Sequence, residues 1–292
     1  MNSSLHARLA DPGLLRQLEI RATGAPGSAL VSHTLDLGPG IDNWLAHLPA
    51  NGPYWYRAQP ASDEFRLGLG HVLHVCSDGP QRFAALANAY AGLTHDWRHS
   101  GHALAFAGFS FAPQSGNNDL PAALLAVPAI LLESIDGRCR VTLSSTVSRL
   151  GEAITQWRKL LAHPALSQPV QYFPEADRTL AERAWVARVN AARRDIHQGR
   201  IDKVVLARSR KLLANAPVSA RQLLATLCEH HTDACIYAFS QGSSTFLGAT
   251  PERLIRLSGR QIESDALAGT AWPGSGELAG SKSQHEQSLV VQ

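Results

Sequence analysis

Three short turns constrain the fold of this chain more than any other feature. Ile135-Asp136-Gly137, Gln241-Gly242-Ser243 and Ser258-Gly259-Arg260 each sit between two runs of strand-forming residues. A glycine-containing turn this short returns the chain antiparallel to itself, whereas parallel strands need a long crossover. Helical spacing interrupts the strand runs without alternating with them regularly. The expected class is therefore α+β, with large antiparallel β-sheets packed as a sandwich and helices outside.

The strand runs lie at 28–37, 53–58, 66–75, 102–111, 122–134 and 138–144. The glycines of 66–75 permit a bend or bulge. Helical spacing marks 80–90, 146–161, 177–198 and 220–228. In 177–198 the apolar positions Trp185, Val189, Ala192 and Ile196 share one face, which predicts that this face is buried, and Gly199 supplies a C-terminal stop. Ser219 is placed to cap the 220–228 helix. Run 201–206 reads as an apolar strand, and the last two turns join 234–240 to 245–249 and 253–257 to 261–267.

With 292 residues, 45% of them hydrophobic, the chain can bury a large core. Its 27 basic and 24 acidic residues give a net charge of +3 and are dispersed, so neither nucleic acid nor a membrane surface has an electrostatic footprint. The four cysteines form no CxxC pair, which argues against redox or metal staples. The first residues contain no apolar signal core, and the longest apolar run, 122–132, is too short for a membrane span of about 20 residues. A cytoplasmic location and no membrane partner are expected.

Four segments of the last third carry candidate chemistry. The first is Ile201-Asp202-Lys203-Val204-Val205-Leu206-Ala207-Arg208. A lysine on an apolar strand either snorkels outward or sits partly desolvated, where burial disfavours the ammonium and leaves a usable general base. The second is Phe246-Leu247-Gly248-Ala249-Thr250-Pro251-Glu252-Arg253-Leu254, in which Glu252 is either an exposed turn residue or a carboxyl aimed into a cleft. In the third, Glu263 to Thr270, the small residues Ala268, Gly269 and Thr270 leave room for a ligand carboxylate to meet backbone N–H groups. In the fourth, Lys282 to Val291, Glu286 is either a solvated helix residue or a metal ligand.

In this order and at these spacings, IDKVVLAR (201–208), FLGATPERL (246–254), ESDALAGT (263–270) and KSQHEQSLVV (282–291) resemble the chorismate-utilising enzymes, and among them the menaquinone-type isochorismate synthases. GPYWYRAQP (52–60) extends the resemblance more loosely towards the N-terminus. The resemblance implies the aminodeoxychorismate-synthase-like fold, with 1–172 as its N-terminal part and 173–292 as the chorismate-binding core. It implies conversion of chorismate to isochorismate, with water added at C2 and the C4 hydroxyl lost. Lys203 would activate the water and Glu252 would protonate the leaving hydroxyl. Ala268, Gly269 and Thr270 would hold a substrate carboxylate, and Glu286 would be a ligand to Mg²⁺.

Lysine at position 203 and alanine at 268 depart from the residues that ammonia-using sister enzymes carry there. The resemblance therefore points to water as nucleophile and to no glutamine amidotransferase partner. Salicylate synthases, which go on to eliminate pyruvate, share this pattern. Ser283 and Gln287 depart from the residues usual in the metal segment. Family members also continue past the position matching Gln292 with strands and a second metal carboxylate, so the fold is expected to be incomplete at its C-terminus. The expectation is an inactive or impaired fragment, or a non-catalytic remnant that binds chorismate. His95, His99 and His102 offer a different class, a zinc site, if one helix presents all three.

Overall fold

The computed structural model describes residues 2–39, 44–116, 120–162, 170–174, 178–267, 284, 287 and 288. Two helices open the chain, α1 (Asn2–Leu9) and α2 (Pro12–Ala22). The Asp11 carboxylate caps the second by accepting from Gly13 N at 2.8 Å, and Pro12 fits a first helical turn that needs no N–H partner. There follow β1 (Leu30–Pro39), β2 (Tyr54–Gln59), β3 (Glu64–Leu69), β4 (Leu73–Ser77), α3 (Arg82–Asp96), β5 (Arg98–Ser100), β6 (Phe106–Phe109), β7 (Ala123–Val127), β8 (Ile130–Ile135), β9 (Arg138–Thr146) and α4 (Leu150–Leu161). The remaining elements are β10 (Tyr172–Pro174), α5 (Arg178–His197), β11 (Leu212–Ala214), α6 (Ala220–His230), β12 (Cys235–Gln241), β13 (Ser244–Thr250), β14 (Arg256–Ser258) and β15 (Gln261–Glu263).

The chain separates into two compact units, Met1–Leu166 with Ser219–Pro251, and Ser167–Val218 with Glu252–Gln292. Where the sequence places one boundary, between 172 and 173, the chain passes between the units at 166/167, 218/219 and 251/252. The first unit holds an eight-stranded sheet ordered β13-β12-β2-β3-β8-β9-β1-β5 and a three-stranded sheet ordered β4-β7-β6. Every ladder is antiparallel except β1 with β5, which is parallel and departs from the expected all-antiparallel sheet.

Alternation along each strand sorts the faces of the large sheet. Tyr54, Tyr56, Leu67, Leu69, Ile130, Leu132, Val141, Leu143, Ile236 and Ala238 point to one side and pack with Leu9, Leu18, Trp157 and Leu224 from α1, α2, α4 and α6. On the other side Trp55 packs with Leu124 and Ala126 of the small sheet and with Phe106 and Phe239. Leu86 and Ala89 of α3 cover the far face of the small sheet at Ala123, Leu125 and Val75. The first unit is thus a sandwich of two sheets with helices on both outer faces.

Two runs that read as single strands are each divided in the structure. Gly70, at φ +63, ends β3 before β4, and Pro128, which has no N–H for a ladder, separates β7 from β8. The breaks face each other, with Ala129 N donating to Leu69 O at 3.0 Å. One long antiparallel pair therefore turns a corner, leaving β3 and β8 in the large sheet and carrying β4 and β7 into the small one.

The second unit contains α5, the β10–β11 ladder and the β14–β15 ladder. The face of α5 expected to be buried is only half-buried at Trp185, Val189 and Ala192, and Ile196 is 43% exposed. The expected strand at 201–206 is absent: these residues are irregular, and Val205 is 82% exposed. β-branched residues favour a pleated backbone only where a neighbouring strand takes up the N–H and C=O groups, and none of the described strands pairs with 201–206.

Candidate active site

The four motif segments meet different fates. Residues 246–250 of FLGATPERL lie on β13, paired with β12 from Phe246–Phe239 to Thr250–Cys235. Glycine at 248 leaves room for the Tyr237 ring, since a Cβ there would come within 2.8 Å of the hydroxyl of this directly opposite residue. The ladder stops at Thr250, just before Pro251, which has no N–H to donate to a neighbouring strand. Glu252 follows, exposed and outside any strand, between β13 and β14. Lys203 lies half-buried in the irregular segment, so it does not stand on a strand either. Both belong to the second unit.

Three segments are brought together by named contacts. Arg253, next to Glu252, places Nη2 2.9 Å from Asp265 Oδ1 and 3.7 Å from Glu263 Oε2. Arg256 Nη1 stands 3.9 Å from the same Glu263 oxygen. Ser264 Oγ donates to Leu254 O at 2.8 Å, and Gln287 Nε2 donates to Ala266 O at 3.0 Å. Residues of the PERL, ESDA and HEQ stretches are thereby stitched around the β14–β15 turn. Arginine against two acids was the legible signal for this junction, and the motif reading passed over it. The IDKVVLAR segment makes a different contact, Arg208 lying 6.0 Å from the Trp185 ring centroid of α5. Ala268, Gly269, Thr270 and Glu286 lie outside the described residues.

Among the described residues no group of three or more His, Cys, Asp or Glu side chains is arranged to hold a metal ion. The zinc alternative fails on local structure. Helix α3 stops at Asp96 and Arg98–Ser100 is a strand, so His95, His99 and His102 share no helical face. His102 Nδ1 instead lies 2.9 Å from Glu133 Oε2. No helix is long and apolar enough to cross a membrane among the described residues.

The chain belongs to the chorismate binding enzyme family, whose profile matches residues 21–292. It is 29% identical over 310 residues to isochorismate synthase MenF of Escherichia coli, covering 96% of this chain and 65% of that protein. It is 37% identical over 120 residues to the salicylate biosynthesis isochorismate synthase of Pseudomonas aeruginosa, covering 38% of this chain and 25% of that one. The chain thus spans less than two thirds of the length of these relatives. The solved structure of the Escherichia coli MenF has the same fold, with a TM-score of 0.69 at 19% identity, covering 99% of this chain and 67% of that one.

Proposed function

We propose that this chain acts on chorismate and converts it to isochorismate, with Lys203 as general base and Glu252 as general acid. The neutral Lys203 amine accepts a proton as water attacks C2. The ring double bond shifts, and the C4–O bond breaks as Glu252 donates a proton to the departing hydroxyl. One water enters and one leaves, so the reaction is an isomerisation. Hydroxide leaves poorly and water attacks weakly, which is why both an acid and a base are needed. Ala268, Gly269 and Thr270 hold a substrate carboxylate through backbone N–H groups. Dependence on Mg²⁺ through Glu286 belongs to the same reading and rests on the family resemblance. A cytoplasmic location and the absence of an amidotransferase subunit are further parts of it.

The observation that carries the reading is the junction of three motif segments at Arg253, Glu263, Asp265, Ala266 and Gln287. A second reading is favoured by the exposure of Glu252 and the unpaired 201–206 segment: a chain that binds chorismate without turning it over. Isothermal titration with chorismate, run beside a coupled assay for isochorismate, separates the two. Saturable binding with turnover that falls about 100-fold or more in Lys203→Ala and Glu252→Gln supports the enzyme. Binding without turnover supports the second reading, pyruvate release marks a salicylate-forming activity, and no binding removes all three. Under the Mg²⁺ reading, chelation with EDTA abolishes turnover and added Mg²⁺ restores it.

A further inference from the structure

The large sheet carries a rung of charge that the chorismate reading leaves unused. Direct cross-strand partners run Arg57–Arg66, Arg66–Glu133, Glu133–Arg140 and Arg140–Asp36 over β2, β3, β8, β9 and β1. The next partner beyond Arg57 is Tyr237 on β12. Arg57 follows Trp55 by two positions, so the rung lies on the Trp55 side of the sheet, opposite the helices.

The positive charges outnumber the acids available to them. Glu133 is completely buried, and both its oxygens are engaged, one by Arg66 Nε at 3.2 Å and the other by His102 Nδ1 at 2.9 Å. Asp36 is exposed and accepts from Gly38 N at 2.7 Å. Arg57 is left with a neutral acceptor, Gln59 Oε1, at 3.3 Å. Arg140 Nε is buried and has no hydrogen-bond partner. Like charges directly opposite each other destabilise a ladder, yet Arg57 and Arg66 are such a pair, and among the described residues no ion pair to Arg57 is formed. A buried donor without an acceptor, on a rung where Arg57 and Arg66 stand directly opposite each other and the acids are too few to offset them, is an arrangement that an anion would complete.

We infer that this rung is a binding site for a small oxyanion, a carboxylate or a phosphate, held by Arg57 and Arg66, which are direct partners on β2 and β3. Glu133 and His102 fix Arg66 from one side, and Arg140 adds positive field from beyond Glu133. Planar guanidinium forks match two oxygens of one ligand, which a lysine at either position would not.

The test is the melting temperature of the full chain titrated with sodium phosphate or sodium acetate, against sodium chloride at equal ionic strength. A saturable rise beyond chloride is expected in at least one arm. Phosphate alone identifies a phosphoryl ligand, acetate alone a carboxylate, and both a site that reads the oxyanion only. Arg57→Gln should raise the half-saturating concentration at least tenfold, while Arg260→Gln, at the exposed β14–β15 turn, leaves it unchanged. Arg57→Lys keeps the charge without the fork and should show an intermediate loss; it also serves if Arg57→Gln does not fold. No saturable rise in either arm, or an unchanged midpoint in the Arg57 variants, overturns the inference.

Discussion

Glu133 shows how much one buried charge depends on its surroundings. Burial pushes its carboxyl pKa up, but the His102 hydrogen bond and the charges of His102, Arg66 and Arg140 outweigh this and hold it below the ordinary value of 4.5. A carboxylate with a depressed folded pKa contributes stability that is complete above its unfolded value and disappears as pH falls through the folded one. Glu133→Gln should therefore cost about 2 kcal/mol at neutral pH in urea denaturation, since it leaves the partly exposed Arg66 without its counter-charge. The gap to the parent should narrow as pH falls below 4.5. His71 behaves in the opposite chemical sense with the same sign. Burial first, then the neighbouring His74, bring it down from 6.5 to about 4, and its Nε2 is buried without a partner. The native state holds it neutral, so stability is full above 6.5 and drains as pH falls towards 4. His71→Leu should remove that part of the acid sensitivity in a series of melting temperatures against pH. A parallel pH profile in parent and variant would contradict the assignment. The Glu133 environment was not legible in the sequence, because His102, Arg66 and Arg140 reach it from other strands and loops.

Among the elements, the hairpins and helix caps follow their local chemistry. The 135–137 turn places Asp136 at φ 53 and Gly137 at φ 71 between β8 and β9, and Gly242 at φ 60 joins β12 to β13. Ser219 caps α6 by accepting from Gln222 N at 3.4 Å, as its position predicted. These features need only neighbouring residues. The corner at Gly70 and Pro128 is different, because it becomes a sheet-to-sheet crossing only when the two breaks oppose each other. Gly68 sits beside it, where an added Cβ would come within 2.7 Å of the Phe106 ring and 3.0 Å of Pro128. Gly68→Ala should cost roughly 1–3 kcal/mol by forcing the small sheet away from the large one. Chemical denaturation measures that cost, and an unchanged midpoint would show that the corner has slack. The absent strand at 201–206 gives the matching lesson. Its β-branched residues favour a strand, but propensity does not supply a partner.

For the whole molecule, the consequence is uneven protection. Backbone amides of β12 lie between two paired strands, β2 and β13, whereas residues 201–210 have no ladder at all. Hydrogen exchange should be slow across 235–241 and fast across 201–210, by several orders of magnitude. Equal rates would mean that 201–210 finds partners in solution. The sequence by itself determined the α+β class, the hairpins, the helices α3 to α6 though not α1 or α2, and the family, since each is written in turn residues, periodicity or ordered motifs a few residues long. It also named Lys203 and Glu252, Ala268 to Thr270 and Glu286 as candidates. Only the tertiary structure decided that β12 and β13 join the N-terminal sheet through β2, that Arg253 ties two motif segments together and Gln287 a third, and that Arg57, Arg66, Glu133 and Arg140 form one rung. The reason is physical. A local pattern states which backbone shape a segment prefers, but the choice of neighbour rests on burial and pairing summed over contacts that are distant in sequence.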